Sequence, residues 1–132
     1  MAYTREELIR RLAKAVRGVE FVYGIGGATA MDEYGYSRFT KDVDVFVLEA
    51  GRGPLLRALR RVGLETYAIA DPSHYAAKLP GDPDPERRID VLVSWGEPEE
   101  SAIEHARIGK LGLKVFLPDL LAMAKFYAYD DS

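Results

Sequence analysis

The stretch Lys41-Asp42-Val43-Asp44-Val45-Phe46-Val47-Leu48 decides the fold. Val43, Val45 and Val47 alternate with Asp44, Phe46 and Leu48, the period-two pattern of a strand, so a strand is predicted over Asp42 to Leu48. Side chains two apart on a strand leave by the same face, so Asp42 and Asp44 project together. A D-x-D pair is common on surface strands, but here it opens a strand that is otherwise apolar.

Upstream, Phe21 to Ile25 is a short apolar run closed by Gly24, Gly26 and Gly27, which reads as a buried strand entering a glycine turn. Ala28 to Tyr34 holds helix formers, and Gly35 to Lys41 reads as a loop. Further back, Thr4 followed by Glu7 forms a capping box, and Leu8, Leu12, Ala15 and Val16 recur at helical spacing. The pattern predicts a helix over Thr4 to Arg17.

Downstream, Gly51 and Gly53-Pro54 punctuate the chain before a helix expected over Leu55 to Arg61. Glu65 to Ala70 and His74 to Leu79 are strand candidates around an Asp71-Pro72 turn. Pro80 to Pro85 carries three prolines and a glycine and is expected to be an exposed loop. Arg88 to Val93 is another strand, with Asp90 between Ile89 and Val91. Pro98 to Ala106 reads as helix, Leu111 to Val115 as a short strand, and Pro118 opens a last helix through Leu121, Ala122, Lys125 and Phe126. No repeat or linker interrupts the 132 residues. The expected class is α/β (α+β), a single domain over 1–132 with a mixed central sheet flanked by helices.

Composition narrows the function. The chain is 48% hydrophobic and 30% charged, a globular balance. Its net charge of −3 lacks the strongly basic footprint of proteins that hold nucleic acid by phosphate neutralisation alone. With no cysteine, disulfides and thiolate metal sites are excluded, which favours a cytoplasmic setting. No apolar run approaches the roughly 20 residues of a membrane span, and the N-terminus has no secretory pattern.

The candidate site joins three features. Glycines at Gly26-Gly27 let backbone amides approach phosphate oxygens ahead of a helix start, which itself favours an anion. Asp42 and Asp44 share one strand face. Asp90 joins them if its strand lies beside theirs. Clustered carboxylates repel one another without a cation, and a hard divalent ion that prefers oxygen ligands relieves the conflict. Two such ions suit the in-line displacement of pyrophosphate.

The residues Gly26, Gly27, Gly35, Arg38, Thr40, Asp42 and Asp44 together resemble the signature of the polymerase β-like nucleotidyltransferase superfamily, most nearly its AbiEii-type toxin group. The resemblance is strong over Phe21 to Leu48 and thin elsewhere. It implies a polymerase β palm-like fold and a third carboxylate in an apolar strand, as at Asp90. It also implies nucleotide contacts at Gly26, Gly27, Arg38 and Thr40, with Lys125 in a later helix. Two Mg²⁺ ions, with Mn²⁺ as the alternative, would be held by Asp42, Asp44 and Asp90. Nucleoside monophosphate would pass from a nucleoside triphosphate, ATP among them, to a hydroxyl of an RNA (tRNA) or protein acceptor. Asp90 would help to deprotonate that hydroxyl. Toxin relatives act beside an antitoxin partner or second subunit. Two departures stand out. Gly27 replaces the serine common elsewhere in the superfamily, and the sequence stops at Tyr129-Asp130-Asp131-Ser132, a shortened C-terminal helical part.

Other readings stay open at this level. Asp90 has Arg88 two residues back on the same face, a ready ion-pair partner. Gly24-x-Gly26 begins a dinucleotide-binding fingerprint, and Asp44 follows Gly24 by 20 residues, but Thr29 stands at the third glycine position. A nucleotidyltransferase-like binding module without turnover is a further alternative. His74 and His105 have no metal-ligand spacing and read as structural or exposed. Tyr127 and Tyr129 are candidates for stacking on a base, and the run Arg57, Arg60, Arg61 is a solvated helix face where an RNA acceptor has room to rest.

Overall fold

The computed structural model describes residues 3–19, 21–26, 41–94, 103, 106–108 and 113–115. Thr4 caps the first helix, its Oγ1 accepting the Glu7 N–H at 3.1 Å. Helix α1 runs Arg5–Val16 and buries Leu8, Leu12, Ala15 and Val16, the stripe read from the sequence. Gly18 then turns the chain with φ +74°, a conformation that favours glycine. On the outer face of α1, hydrogen bonds from Arg10 and Arg11 hold the Glu7 carboxyl down from its ordinary 4.5 to about 2.

Strand β1 (Tyr23–Gly26) is buried along its whole length. Strand β2 (Val43–Leu48) follows, and the chain passes directly into helix α2 (Glu49–Arg61). That helix begins six residues before the expected Leu55. Gly51 and Pro54 read as breakers in the sequence, yet both lie inside the helix. Gly51 is a packing position. A Cβ there would come 3.3 Å from the Phe21 ring, so the helix start lies close against Phe21. Helix α2 ends in a Schellman motif. Gly63 N–H donates to Arg60 O at 3.0 Å and Leu64 N–H to Leu59 O at 3.1 Å, with Gly63 at φ +89°.

Strands β3 (Glu65–Ala70) and β4 (His74–Lys78) form a hairpin, followed by β5 (Ile89–Ser94) and two short strands, β6 (Arg107–Ile108) and β7 (Lys114–Val115). The sheet order is β3-β4-β5-β2-β1-β7-β6. The β2/β5 and β1/β7 pairs are parallel and the others antiparallel, so the sheet is mixed, as expected. Of the strand predicted over Leu111 to Val115, Lys114 and Val115 are strand among the described residues, and 107–108, beyond the predicted helix, is a strand. The helix expected over Ala28 to Tyr34 and the one opening at Pro118 lie outside the described residues.

The pleat sorts the central strands into two faces. Val43, Val45, Val47, Ile89 and Val91 are fully buried and share one core with Leu8, Leu12, Leu55 and Leu59 of the two helices. Asp44 and Asp90 point from the opposite face. The loop between β4 and β5 exposes Gly81, Pro83 and Pro85, as expected, with one buried exception. Asp82 is buried and takes a two-pronged ion pair from Arg87, Nε to Oδ2 at 2.7 Å and Nη2 to Oδ1 at 3.0 Å. The Asp82 side chain also accepts the Asp84 N–H at 3.0 Å, so a proline-rich segment is held by its own carboxylates.

Candidate metal centre

The parallel pairing of β2 with β5 sets Asp44 directly beside Asp90. Asp42 precedes β2 by one residue and reaches the same side. Carboxylate oxygens of Asp42, Asp44 and Asp90 lie within 4.8 Å of one another, the one such cluster of metal-ligating side chains among the described residues. Asp90 is buried at 5% exposure, while Asp42 and Asp44 are half-buried. Three carboxylates this close repel strongly when ionised. An all-oxygen donor set of this charge fits a hard divalent cation and suits softer, thiolate-seeking metals poorly.

Backbone contacts fix the cluster from below. Val43 N–H donates to Arg88 O at 3.0 Å, extending the parallel ladder to the strand starts. Arg5 Nε donates to the Asp42 carbonyl at 3.3 Å, which ties α1 to the entry of β2. Just upstream, Lys41 Nζ pairs with Asp84 at 2.8 Å and so links that entry to the loop before β5.

On its other side, Asp44 pairs with Gly26, the last residue of β1. Glycine adds no side chain of its own on that face of the sheet. The expected glycine turn begins there, although Gly27 lies outside the described residues, as do Arg38, Thr40 and Lys125.

Asp90 is held by two donors, one beside its own strand and one on β4. Arg88 Nε donates to Asp90 Oδ1 at 2.9 Å, the ion pair that the sequence offered as an alternative to metal binding. The structure shows the ion pair and the carboxylate cluster together. Burial opposes the Arg88 charge, but the Asp90 carboxylate and the Tyr67 side chain outweigh it and raise the Arg88 pKa. His74 Nε2 meets the same Asp90 Oδ1 at 2.7 Å. No spacing in the sequence connects His74 with Asp90. Their meeting depends on the antiparallel register of β4 and β5, which pairs His74 with Leu92 and Ala76 with Asp90. A ten-residue connection over 79–88 separates those strands, and no short motif encodes its register.

The dinucleotide-binding alternative fails on topology. Gly24 and Gly26 lie inside β1 rather than in a turn, and β1 pairs with β2 antiparallel, where that fold requires parallel neighbours. The arginines of α2 lie across the sheet from the acids, because α2 packs on the valine face. Arg60 is engaged with Thr66 Oγ1 at 2.8 Å.

No family profile matches the sequence, and no curated protein matches it. Solved structures do resemble the fold. The antibiotic-resistance factor ANT(2'')-Ia, in complex with adenylyl-2''-tobramycin, aligns at TM-score 0.66 and 19% identity over 96% of this chain and 76% of that one. A Thermotoga maritima protein classed as a nucleotidyltransferase aligns at TM-score 0.71 and 11% identity, over 95% and 84% of the two chains. The lincosamide adenylyltransferase LnuA, bound to lincomycin, aligns at TM-score 0.54 and 14% identity, over 70% and 57%. The chain therefore has the nucleotidyltransferase fold that the sequence resemblance implied.

Proposed function

We propose that this protein is a divalent-metal-dependent nucleotidyltransferase. One observation carries the reading: the β2/β5 register gathers Asp42, Asp44 and Asp90 within 4.8 Å beside the side-chain-free Gly26. Asp42, Asp44 and Asp90 would hold Mg²⁺, or Mn²⁺ in its place, as a pair of ions. Bound there, the metal supplies positive charge to the triphosphate and to the departing pyrophosphate. The nucleotide would enter from the Gly26 side, with Gly27, Arg38, Thr40 and Lys125 as its further contacts.

The chain's own groups account for the rest. An acceptor hydroxyl approaches the α-phosphorus in line with the bond to the β-phosphate oxygen. Asp90, the buried member, accepts the hydroxyl proton. The new phosphorus–oxygen bond forms as the bond to pyrophosphate breaks. Asp42 and Asp44 begin the strand at the centre of the sheet, so their positions are set before substrate arrives.

Resemblance to the toxin group favours an RNA or protein hydroxyl as acceptor, with an antitoxin as partner and a cytoplasmic setting. The fold likeness to ANT(2'')-Ia and LnuA favours a second reading, a small molecule bearing hydroxyls. No helix among the described residues is long and apolar enough to cross a membrane. The test incubates the protein with each labelled nucleoside triphosphate and Mg²⁺. Separate reactions offer cellular RNA, cellular protein, an aminoglycoside and a lincosamide. Transfer of label that is lost in the Asp42→Ala/Asp44→Ala variant supports the proposal, and the labelled species names the acceptor. No transfer to any acceptor, or equal labelling by the double variant, overturns it. Metal binding without transfer would leave a nucleotide-binding module.

A further inference from the structure

We infer that His74 is a positioning residue for Asp90, acting through its hydrogen bond to one carboxylate oxygen; this rests on the metal-centre reading above. His74 opens β4 and sits diagonally across the antiparallel ladder from Asp90. The residue directly opposite Asp90 is Ala76, whose methyl group leaves the space over which the imidazole leans. An ionised carboxylate only accepts hydrogen bonds, so His74 Nε2 carries the proton that it donates to Oδ1 at 2.7 Å. Arg88 Nε reaches the same atom at 2.9 Å. Both donors converge on Oδ1, and neither uses Oδ2. The two bonds fix the rotation of the carboxylate and leave Oδ2 as the oxygen presented to a cation or to an acceptor hydroxyl.

The two donors restrain Asp90 from different directions. Arg88 lies two residues back on Asp90's own strand and moves with it. His74 belongs to the neighbouring strand and ties Asp90 to the β3–β4 hairpin. That hairpin is pinned at its turn, where Ser73 N–H donates to Ala70 O at 2.8 Å and Val93 N–H donates to Ser73 O at 2.9 Å. His74 thus ties the third carboxylate to a part of the sheet outside its own strand. Partners in this outer position commonly change metal affinity or activity by ~10–100-fold when removed.

The test uses the full chain and two readouts. Mn²⁺ binding is followed by the electron paramagnetic resonance of the free ion, and nucleotidyl transfer is measured on the acceptor found above. Circular dichroism checks that each variant is folded. His74→Ala is expected to weaken Mn²⁺ binding by about 10-fold and to lower kcat with the nucleotide KM little changed. His74→Gln places an amide N–H near the Nε2 position and is expected to recover most of both. In the Asp90→Asn background, His74→Ala is expected to add almost nothing, because its effect passes through Asp90. A merely structural histidine would weaken both backgrounds equally and would not be rescued by glutamine.

Wild-type Mn²⁺ affinity in folded His74→Ala overturns the inference, as does additivity with Asp90→Asn. If His74→Ala fails to fold, the comparison passes to His74→Gln against wild type, and loss of Mn²⁺ binding in folded His74→Gln overturns it. Should the wild type bind Mn²⁺ but transfer no nucleotide, the nucleotidyltransferase proposal fails while the Mn²⁺ titrations still decide the role of His74.

Discussion

At the scale of single residues, the candidate site is a set of like charges held together by backbone register. That arrangement is unfavourable for the metal-free protein and favourable once a cation is bound. Asp44→Asn should therefore raise the unfolding midpoint in chelator and abolish the rise that Mg²⁺ gives the wild type. For the wild type, a free Mg²⁺ concentration 100 times the dissociation constant would stabilise the fold by about 2.7 kcal/mol. Thermal unfolding with and without Mg²⁺ checks both parts, and a variant that melts earlier in chelator would contradict the charge argument. The legibility of the site follows the same physics. Asp42 and Asp44 were readable because a strand's period of two is local. Asp90 was readable as a carboxylate in an apolar strand, but its distance from the pair was not, since a parallel neighbour is set by the whole sheet. His74 was not readable at all, because its contact with Asp90 depends on how two strands align across a ten-residue connection.

At the scale of elements, the sequence located most strands to within a residue or two and misjudged one glycine. Gly51 reads as a breaker in the sequence, yet it is the place where α2 approaches Phe21. Gly63 is a genuine stop, and its left-handed φ of +89° shows why. A side chain there meets conformational strain and also the Arg11 guanidinium, which would lie 2.8 Å from a Cβ. The same guanidinium donates to Val62 O at 3.0 Å, so α1 braces the end of α2. Gly63→Ala should lower stability by about 1–2 kcal/mol, the ordinary cost of a left-handed residue with a side chain. Chemical denaturation measures it, and an unchanged midpoint would show that the motif relaxes freely. Pro54 gave a similar false stop. Its ring fixes φ in the helical range, and in the second turn the lost backbone bond is tolerated by a helix anchored through Leu55 and Leu59.

At the scale of the whole molecule, several carboxylates are held below their ordinary range by contacts that exist only in the folded chain. Glu7 falls to about 2 through hydrogen bonds from Arg10 and Arg11. Asp82 is lowered first by Arg87, and Asp84 first by Lys41. Each carboxylate is more easily protonated in the unfolded chain, so its stabilisation is present above the unfolded pKa and is lost as pH falls through the folded one. For Glu7 that window runs from 4.5 down to about 2. The unfolding midpoint should fall as pH drops from 4.5 toward 2, and Glu7→Gln should remove a small part of that fall, since an exposed ion pair is screened by solvent. A midpoint independent of pH across the window would refute the assignment. The Asp84 contact reaches further than its own loop, since Lys41 lies next to Asp42 and connects acid sensitivity to the entry of β2. The parallel β2/β5 pairing has one more consequence. Sliding β5 by a single residue would put Ile89 or Val91 beside Asp44 and turn Asp90 toward the helices. Misaligned chains would thus carry two carboxylates where correctly threaded ones carry three, and a divalent ion in the medium would act as a proofreader of strand alignment during folding.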